Sequence, residues 1–588
     1  MKTDSAKSDM RCFHGIPTSA GIAMGRLRVV DRRRLHVHEN LISEENTRAE
    51  TDRLKNAIAR TRDELTALKE QLRVTTGEEH LYFIETHQMI LADERLFAET
   101  AAHIETGLLN AESALHRTLT KYREIFSGID DAYLRERISD IEMVIEKILR
   151  NMVNEPHSPI THDDVQTIIA AHDISPADIL QMDRSRIVGI LTEVGGRTSH
   201  ASILARAFEL PAVAGVEGGA DILLDGMPAI LDGLSGDVII NPDNETFLAY
   251  LERKRHYEYI GLELLKDAGL PPETLDGHRT CLRGNVEIPE EGASVLRHGG
   301  EGVGLYRTEM LFMNRDHMPE EEEQYQVYAA MQQAVAPHAL TIRTLDAGGD
   351  KLLDGLSRLD EQNPALGVRA IRLSLCMPED FKKQLRAILR VSASGMVRIM
   401  FPMISGLDEL RSARALLEEA KGELDAAGVP YDRSLPVGVM IEIPSAVIVA
   451  DLLAREADFF SIGTNDLVQY SLAIDRSNEH LADMFQPLHP AILRSLQRVV
   501  DAAHQEGIEA CICGEMAGDP LYLPVLLGLG FDELSMNAAS IPRVKQVVRR
   551  YTLERAREVA QACFQFSTAA EVDLYLKEVT DDHAAGFI

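Results

Sequence analysis

The sequence predicts a multidomain α/β protein: a small α/β domain carrying a helical insertion, followed by a C-terminal (β/α)8 barrel. Three observations carry this expectation. At 588 residues the chain exceeds a single hydrophobic core. From residue 275 onward, eight short apolar runs alternate with amphipathic helical runs over roughly 300 residues, the size of a (β/α)8 barrel. Ahead of them, residues 43–152 form a charged block with helical spacing, flanked on both sides by strand-like runs.

The elements follow in order. Residues 20–31, AGIAMGRLRVVD, read as a Gly-punctuated start and a short strand. SEENTRAETDRLKNAIARTRDELTALKEQL then lacks Gly and Pro and is apolar at Leu54, Ile58, Leu65, Leu68 and Leu72, the period of a helix. Helical runs at 78–106, 110–126 and 130–153 complete the block. Breaks at Gly77, Asp93 and Gly128 favour hairpins over one long coiled coil. Between 155 and 242 the runs QTIIAAHD, IVGILTEVGG, PAVAGV, PAILDG and DVIINP predict short strands. The strand near 27–31 is expected in the same sheet, so the helical block is an insertion. The expected domains are 1–32 with 153–242 (α/β), 33–152 (helical), 243–272 (a linker helix stopped by Gly269-Leu-Pro-Pro272) and 273–588 (barrel). The barrel strands are predicted at 281–286, 302–307, 340–346, 397–403, 437–443, 459–466, 509–515 and 532–537. A doubly wound open sheet is the competing arrangement.

Composition narrows the function. The net charge of −32, from 61 basic and 93 acidic residues, disfavours nucleic acid and anionic membranes. No run approaches 18 apolar residues, which predicts no membrane insertion. The six cysteines are scattered, and Cys511-x-Cys513 has the wrong spacing for a zinc knuckle. MKTDSAKSDMRC has no apolar segment of the secretory kind, so a cytoplasmic protein with free thiols is expected.

The most informative stretch is GGRTSHASILARAFELPAVAG, residues 195–215. Gly195 and Gly196 let backbone approach a bulky anion, and Thr198 or Ser199 is a good N-cap for the amphipathic run Ile203, Leu204, Phe208. His200 then falls in the first helical turn, where free N–H groups and the helix dipole favour negative charge, and Arg197 adds a cation. This is a setting for an anion carried on imidazole, a phosphohistidine, rather than for a histidine that merely packs.

A barrel places its active site at the strand C-termini. Arg307, Arg343 with Asp346, Glu442, Asn465 with Asp466, and Cys513 with Glu515 fall there; Arg476 follows the sixth strand and Arg369 lies between the third and fourth. Several arginines at one rim suit an anion bearing carboxylate and phosphate. Glu442 and Asp466 among those cations suggest a divalent metal such as Mg2+. A cysteine on an apolar strand is more often a core residue, but Cys513 sits at a strand end beside Gly514 and Glu515, which admits a functional role.

With these residues in place, the chain resembles the enzyme I family of the bacterial phosphoenolpyruvate-dependent sugar phosphotransferase system. The matching stretches are GGRTSHASILARAFELPAVAG, EGVGLYRTEMLFM, RTLDAGGDK, RIMFPMI, FFSIGTNDLVQYSLAIDR, CGEMAGD and GFDELSMN, and DDAYLRERISDIEMVIEKILRN resembles the helix before the phosphohistidine domain. The resemblance covers nearly the whole chain after about residue 12. It implies that phosphoenolpyruvate binds the barrel with Mg2+ and phosphorylates His200 on a swivelling domain. The phosphoryl group then passes to the carrier protein HPr docked on the helical insertion, and the barrel forms a homodimer. By motif, Arg307, Arg343, Arg369 and Arg476 would hold the substrate with Asn465 and Asp466, Glu442 and Asp466 would bind the metal, and Cys513 would protonate the enolate carbon. Pyruvate phosphate dikinase and phosphoenolpyruvate synthase look similar but need a large ATP-binding domain ahead of the histidine, whereas fewer than 200 residues precede His200, mostly charged helix without a Gly-rich phosphate loop. A nitrogen-type regulatory paralogue and a non-catalytic HPr-docking sensor are the remaining alternatives; the intact His200, Glu442, Asp466 and Cys513 set speaks against the latter.

Overall fold

The computed structural model describes residues 10–30, 40–75, 81–127, 141–152, 166–196, 200–216, 224–312, 318–348, 363–475 and 481–584, apart from scattered positions between 143 and 185 and at 482–483. The chain divides into two compact units, residues 1–257 and 258–588. Among the described residues, no helix is long and apolar enough to cross a membrane.

The first unit is built on a mixed sheet. Its strands are β1 (Arg11–His14), β2 (Ile16–Ser19), β3 (Ile22–Val30), β4 (Thr167–Ala171), β5 (Ile187–Thr192), β6 (Ala212–Ala214), β7 (Pro228–Asp232) and β8 (Asp237–Ile240), in the spatial order β1-β8-β7-β3-β4-β5-β6-β2. Strands β3 to β6 run parallel, and β7 joins β3 antiparallel. β3 and β4 are neighbours in space, with Leu27 opposite Ile168, although the helical block separates them in sequence. That block contains α1 (Thr47–Thr75), α2 (Leu81–Ala92), α3 (Glu94–Gly107) and α4 (Ala111–Ser127). Asp93 divides α2 from α3 because its carboxylate caps the new helix, accepting the Arg95 N–H at 2.8 Å. The buried stripe of α1 is Leu54, Ala57, Thr61 and Leu65. Thr61 is tolerated there because its hydroxyl donates to the Ala57 carbonyl one turn back, while Ile58 sits at the stripe's margin. Leu68 and Leu72 have side chains outside the described set.

Helix α5 (His200–Ala207) follows β5, and α6 (Asn244–Lys266) follows β8. The fully buried Asp232, at the end of β7, accepts the Leu234 and Ser235 N–H groups and pairs with Arg253 of α6 at 2.8 Å. This ion pair fixes the first half of α6 to the sheet.

The second unit is a closed parallel barrel of β9 (Cys281–Val286), β10 (Gly302–Tyr306), β11 (Ala339–Arg343), β12 (Val397–Phe401), β13 (Val437–Ile441), β14 (Phe459–Ile462), β15 (Glu509–Ile512) and β16 (Glu533–Met536). The doubly wound alternative is thereby excluded: β16 pairs with β9 and closes the ring. Outward-facing residues such as Leu340, Ile342, Ile399 and Phe401 join the helical layer in the large core. Leu305, Met400, Met440, Phe459, Cys511 and Cys513 fill the barrel's interior. Most strands stop two to four residues before their expected ends, because the polar residues there turn outward to form the rim rather than continuing the ladder.

The opposite, N-terminal end of the barrel is closed by buried charge. Glu533 pairs with Arg283 and Arg398, each at 3.0 Å, and Arg398 also reaches Glu509 at 3.2 Å and stacks on the Phe459 ring at 3.7 Å. Glu509, Cys511 and Glu533 bring donor atoms within 4.8 Å of one another, but the two guanidiniums already neutralise the carboxylates, so the cluster is an ion-pair plug. Removing one partner of such a network strands the rest. Glu533→Ala is therefore expected to lower unfolding free energy by about 3–5 kcal/mol. Denaturant titration of the full chain checks this, and an unchanged midpoint would show the plug to be dispensable.

Candidate active site

Among the described residues, the C-terminal rim of the barrel gathers three arginines. Arg307, just past β10, donates to Glu287 at 2.8 Å. Arg343 ends β11 and is only 7% exposed. Its guanidinium bonds Glu309 at 2.9 Å and Asp346 at 2.8 Å, and touches the Met440 sulfur at 3.7 Å. Arg369 arrives from the segment between β11 and β12 and holds the other oxygen of Asp346 at 2.8 Å. Its position is set by backbone: Gly348 bridges to Arg369, and the Ala370 N–H donates to the Ala347 carbonyl with Ala370 held at φ +53°.

Burial disfavours every charge here, and the partners decide the outcome. Burial alone would raise the Asp346 carboxyl, but Arg343 and Arg369 overcome it and hold the group down to about 2. Burial would likewise discharge Arg343, yet Glu309, Asp346, Glu442 and Asp466 keep its proton more firmly bound than usual.

Glu442 lies just past β13 and is 0% exposed. One oxygen accepts the Met403 N–H at 2.6 Å, while the other, Oε2, has no hydrogen-bond partner among the described residues. Burial first, then repulsion from Asp466 and Asp346, push this carboxyl well above the usual carboxylate range, against the pull of Arg343. Gly463 is needed beside it, since a Cβ there would come within 2.6 Å of Oε2. Asn465 and Asp466 open the helix Thr464–Leu472 that follows β14, and Asn465 exchanges long contacts with Glu515 at 3.4 and 3.5 Å. An orphaned, buried carboxylate oxygen next to a second carboxylate fits a hard divalent cation.

Cys513 follows β15 and is 3% exposed, its Sγ 3.6 Å from the Ile462 carbonyl. Burial pushes the thiol up to about 11, with Ser461 and Arg343 pulling the other way. Its carbonyl accepts from Asn285 at 2.8 Å, which is braced by the Ser535 hydroxyl at 2.6 Å. The thiol is thus fixed in position and protonated near neutral pH.

In the first unit, His200 is the first residue of α5, as the sequence suggests. Gly195 adopts φ +100°, a conformation that L side chains resist, at the exit from β5. Beside it, His172 at the end of β4 bonds Glu193 at 2.8 Å. Arg197, Thr198 and Ser199 lie outside the described residues, as does Arg476. The structure brings Arg307, Arg343, Arg369, Glu442, Asn465, Asp466 and Cys513 to one rim. Sequence reasoning missed Glu287, Glu309 and Tyr470. Glu309 stands two residues after Arg307, and Tyr470 one helical turn after Asp466, spacings that place them on the same rim.

Three family models match in succession: the PEP-utilising enzyme N-terminal model over residues 14–137, the mobile-domain model over 164–236, and the PEP-binding-domain model over 263–553. The phosphoenolpyruvate-protein phosphotransferase of Bacillus subtilis is 40% identical over 571 residues, spanning 97% of this chain and 100% of its own. The proteins of that name from Haemophilus influenzae and Enterococcus faecalis are each 39% identical. They span 96% of this chain, and 98% and 99% of their own lengths. The chain belongs to the phosphoenolpyruvate-protein phosphotransferase family, and phosphoenolpyruvate-dependent phosphotransfer is its activity.

Proposed function

We propose that the barrel rim binds phosphoenolpyruvate, whose phosphoryl group passes to His200 and then to HPr docked on the helical insertion, leaving pyruvate. The observation that carries this reading is the convergence of Arg307, Arg343 and Arg369 around Asp346, with Glu442 close enough to feel Asp346 and Arg343 and its second oxygen buried without a hydrogen-bond partner among the described residues. Guanidinium forks match both the phosphate and the carboxylate of the substrate, and the family resemblance gives Arg476 and Asn465 the same task. Glu442 and Asp466 would hold Mg2+, which when bound supplies charge neutralisation at the transferring phosphoryl group.

The protein's own residues do the rest by position. The neutral imidazole of His200 attacks phosphorus, the bridging P–O bond breaks, and its electron pair stays on the enolate oxygen. Charge is spread over the phosphoryl oxygens during this step, so prepositioned cations supply most of the catalysis. Arg343 and Arg369 are held by Asp346 before substrate arrives and need no reorganisation. The enolate then takes a proton at its terminal carbon from the Cys513 thiol, giving pyruvate. His200 lies in the first unit and the rim in the second, so the histidine has to visit the barrel and leave it to meet HPr. A cytoplasmic homodimer joined through the barrel completes the reading.

Three predictions test it. His200→Ala should accept no label from radiolabelled phosphoenolpyruvate while still binding it; acid-labile label on another histidine would displace His200 as the acceptor. Cys513→Ser should bind phosphoenolpyruvate but release pyruvate about 10²–10⁴-fold more slowly, the usual worth of a positioned general acid. Because burial holds the thiol up to about 11, iodoacetamide should modify Cys513 negligibly at pH 7 and increasingly only as pH nears that value. The exposed Cys12 and Cys376 should react first. Peptide mapping that found Cys513 alkylated fastest at neutral pH would contradict a protonated, buried donor.

A further inference from the structure

We infer that Tyr470 is a positioning residue for phosphoenolpyruvate, acting through the Arg369 guanidinium. The inference rests on the reading of the rim as the phosphoenolpyruvate site and adds a residue to it.

Arg369 is held from two sides. One terminal nitrogen pairs with Asp346 at 2.8 Å; the other donates to the Tyr470 hydroxyl at 3.2 Å. That hydroxyl in turn donates to the Ala365 carbonyl at 2.6 Å, so its proton points away from Arg369 and its lone pair towards it. A phenol is suited to this: it accepts from a cation without adding a negative charge. The polarity matters because Asp346 already serves two arginines, and a further carboxylate would tie the guanidinium down as an internal salt bridge.

The placement of Tyr470 gives it reach. It sits on the helix Thr464–Leu472, one turn after Asp466, and so on the face that carries the proposed metal ligand. Its two partners, Ala365 and Arg369, belong to the segment Pro364–Arg369, which has left the barrel after β11. Arg372 also bonds this segment, at the Leu366 and Gly367 carbonyls, but from within its own stretch of chain. Tyr470 ties it across to the element after β14. One hydroxyl therefore sets the orientation of a substrate-binding cation relative to Asp466.

Without the hydroxyl, Arg369 keeps Asp346 but loses the contact that fixes the rotation of its outer nitrogen. The loss falls on substrate binding, since Tyr470 is given no contact with the reacting atoms. Hydrogen bonds to charged groups support an effect of about tenfold.

The test is a double-mutant cycle on the full-length enzyme, assayed for pyruvate release with Mg2+, HPr and varied phosphoenolpyruvate. Tyr470→Phe should raise KM for phosphoenolpyruvate about tenfold and leave kcat within about twofold. In an Arg369→Ala background, adding Tyr470→Phe should change KM no further, because the residue through which it acts is gone. An unchanged KM in Tyr470→Phe, a fall in kcat alone, or the same tenfold effect in the Arg369→Ala background would each overturn the positioning role. The arms also separate the two levels of the argument. If Arg369→Ala itself leaves KM unchanged, Arg369 is no substrate ligand, and the reading of the rim fails together with the inference. If Arg369→Ala raises KM and Tyr470→Phe does not, the rim stands and only Tyr470 falls.

Discussion

One carboxylate, Asp346, holds two guanidiniums that the chain delivers from different places. Arg343 comes from the end of β11 and Arg369 from the excursion that follows it, and each takes one oxygen at 2.8 Å. Two buried cations side by side would repel each other and pay the full cost of leaving water. With Asp346 between them they become a rigid, polar wall. The rest of the rim depends on this wall. Glu309 braces Arg343 from the other side, Tyr470 braces Arg369, and Cys513 lies where Arg343 tempers the effect of burial on its thiol.

Charge counting at the rim shows why the arrangement is incomplete by itself. Around the guanidiniums of Arg307, Arg343 and Arg369 stand the carboxylates of Glu287, Glu309, Asp346, Glu442 and Asp466. Glu287, Glu309 and Asp346 are each bonded to an arginine, whereas Glu442 has an orphaned oxygen and Asp466 as its strongest repulsive neighbour. Fully ionised, these carboxylates would outnumber the guanidiniums by two, and the upward push on Glu442 is where that crowding of negative charge shows. The chemistry of the donors and the arithmetic of the charges point the same way.

Most of this was legible in the sequence because it rests on patterns of fixed period or fixed place. The eight strand positions follow from apolar runs between helices, and the rim residues follow from the rule that barrel chemistry sits at strand C-termini. The insertion between β3 and β4 was legible from the change of period alone. What the sequence hid was pairing. Glu309 reads as one more acidic residue in a helix start, and nothing in its local pattern says that it braces Arg343. Tyr470 reads as an amphipathic-helix residue until the return of Ala365 and Arg369 gives its hydroxyl two partners. The ion-pair plug was hidden for the same reason: Arg283, Arg398 and Glu533 lie on strands far apart in sequence, and each alone argues against a buried strand.

The two ends of the barrel carry similar residue types to opposite effect. At the N-terminal end Glu533 is shared by two arginines, and Arg398 adds Glu509 and the face of Phe459, so the carboxylates there are neutralised by protein. At the C-terminal end a buried carboxylate oxygen is left over. Between them lies an apolar layer of Leu305, Met400 and Met440, which carries no formal charge and keeps the two sets apart. The closed network can therefore stabilise the fold without competing for ligands, and the open one is left free for the anion and cation proposed to bind there. A barrel with both ends closed in this way would be more stable and inert. The function proposed for this one turns on a carboxylate oxygen that no described arginine hydrogen-bonds.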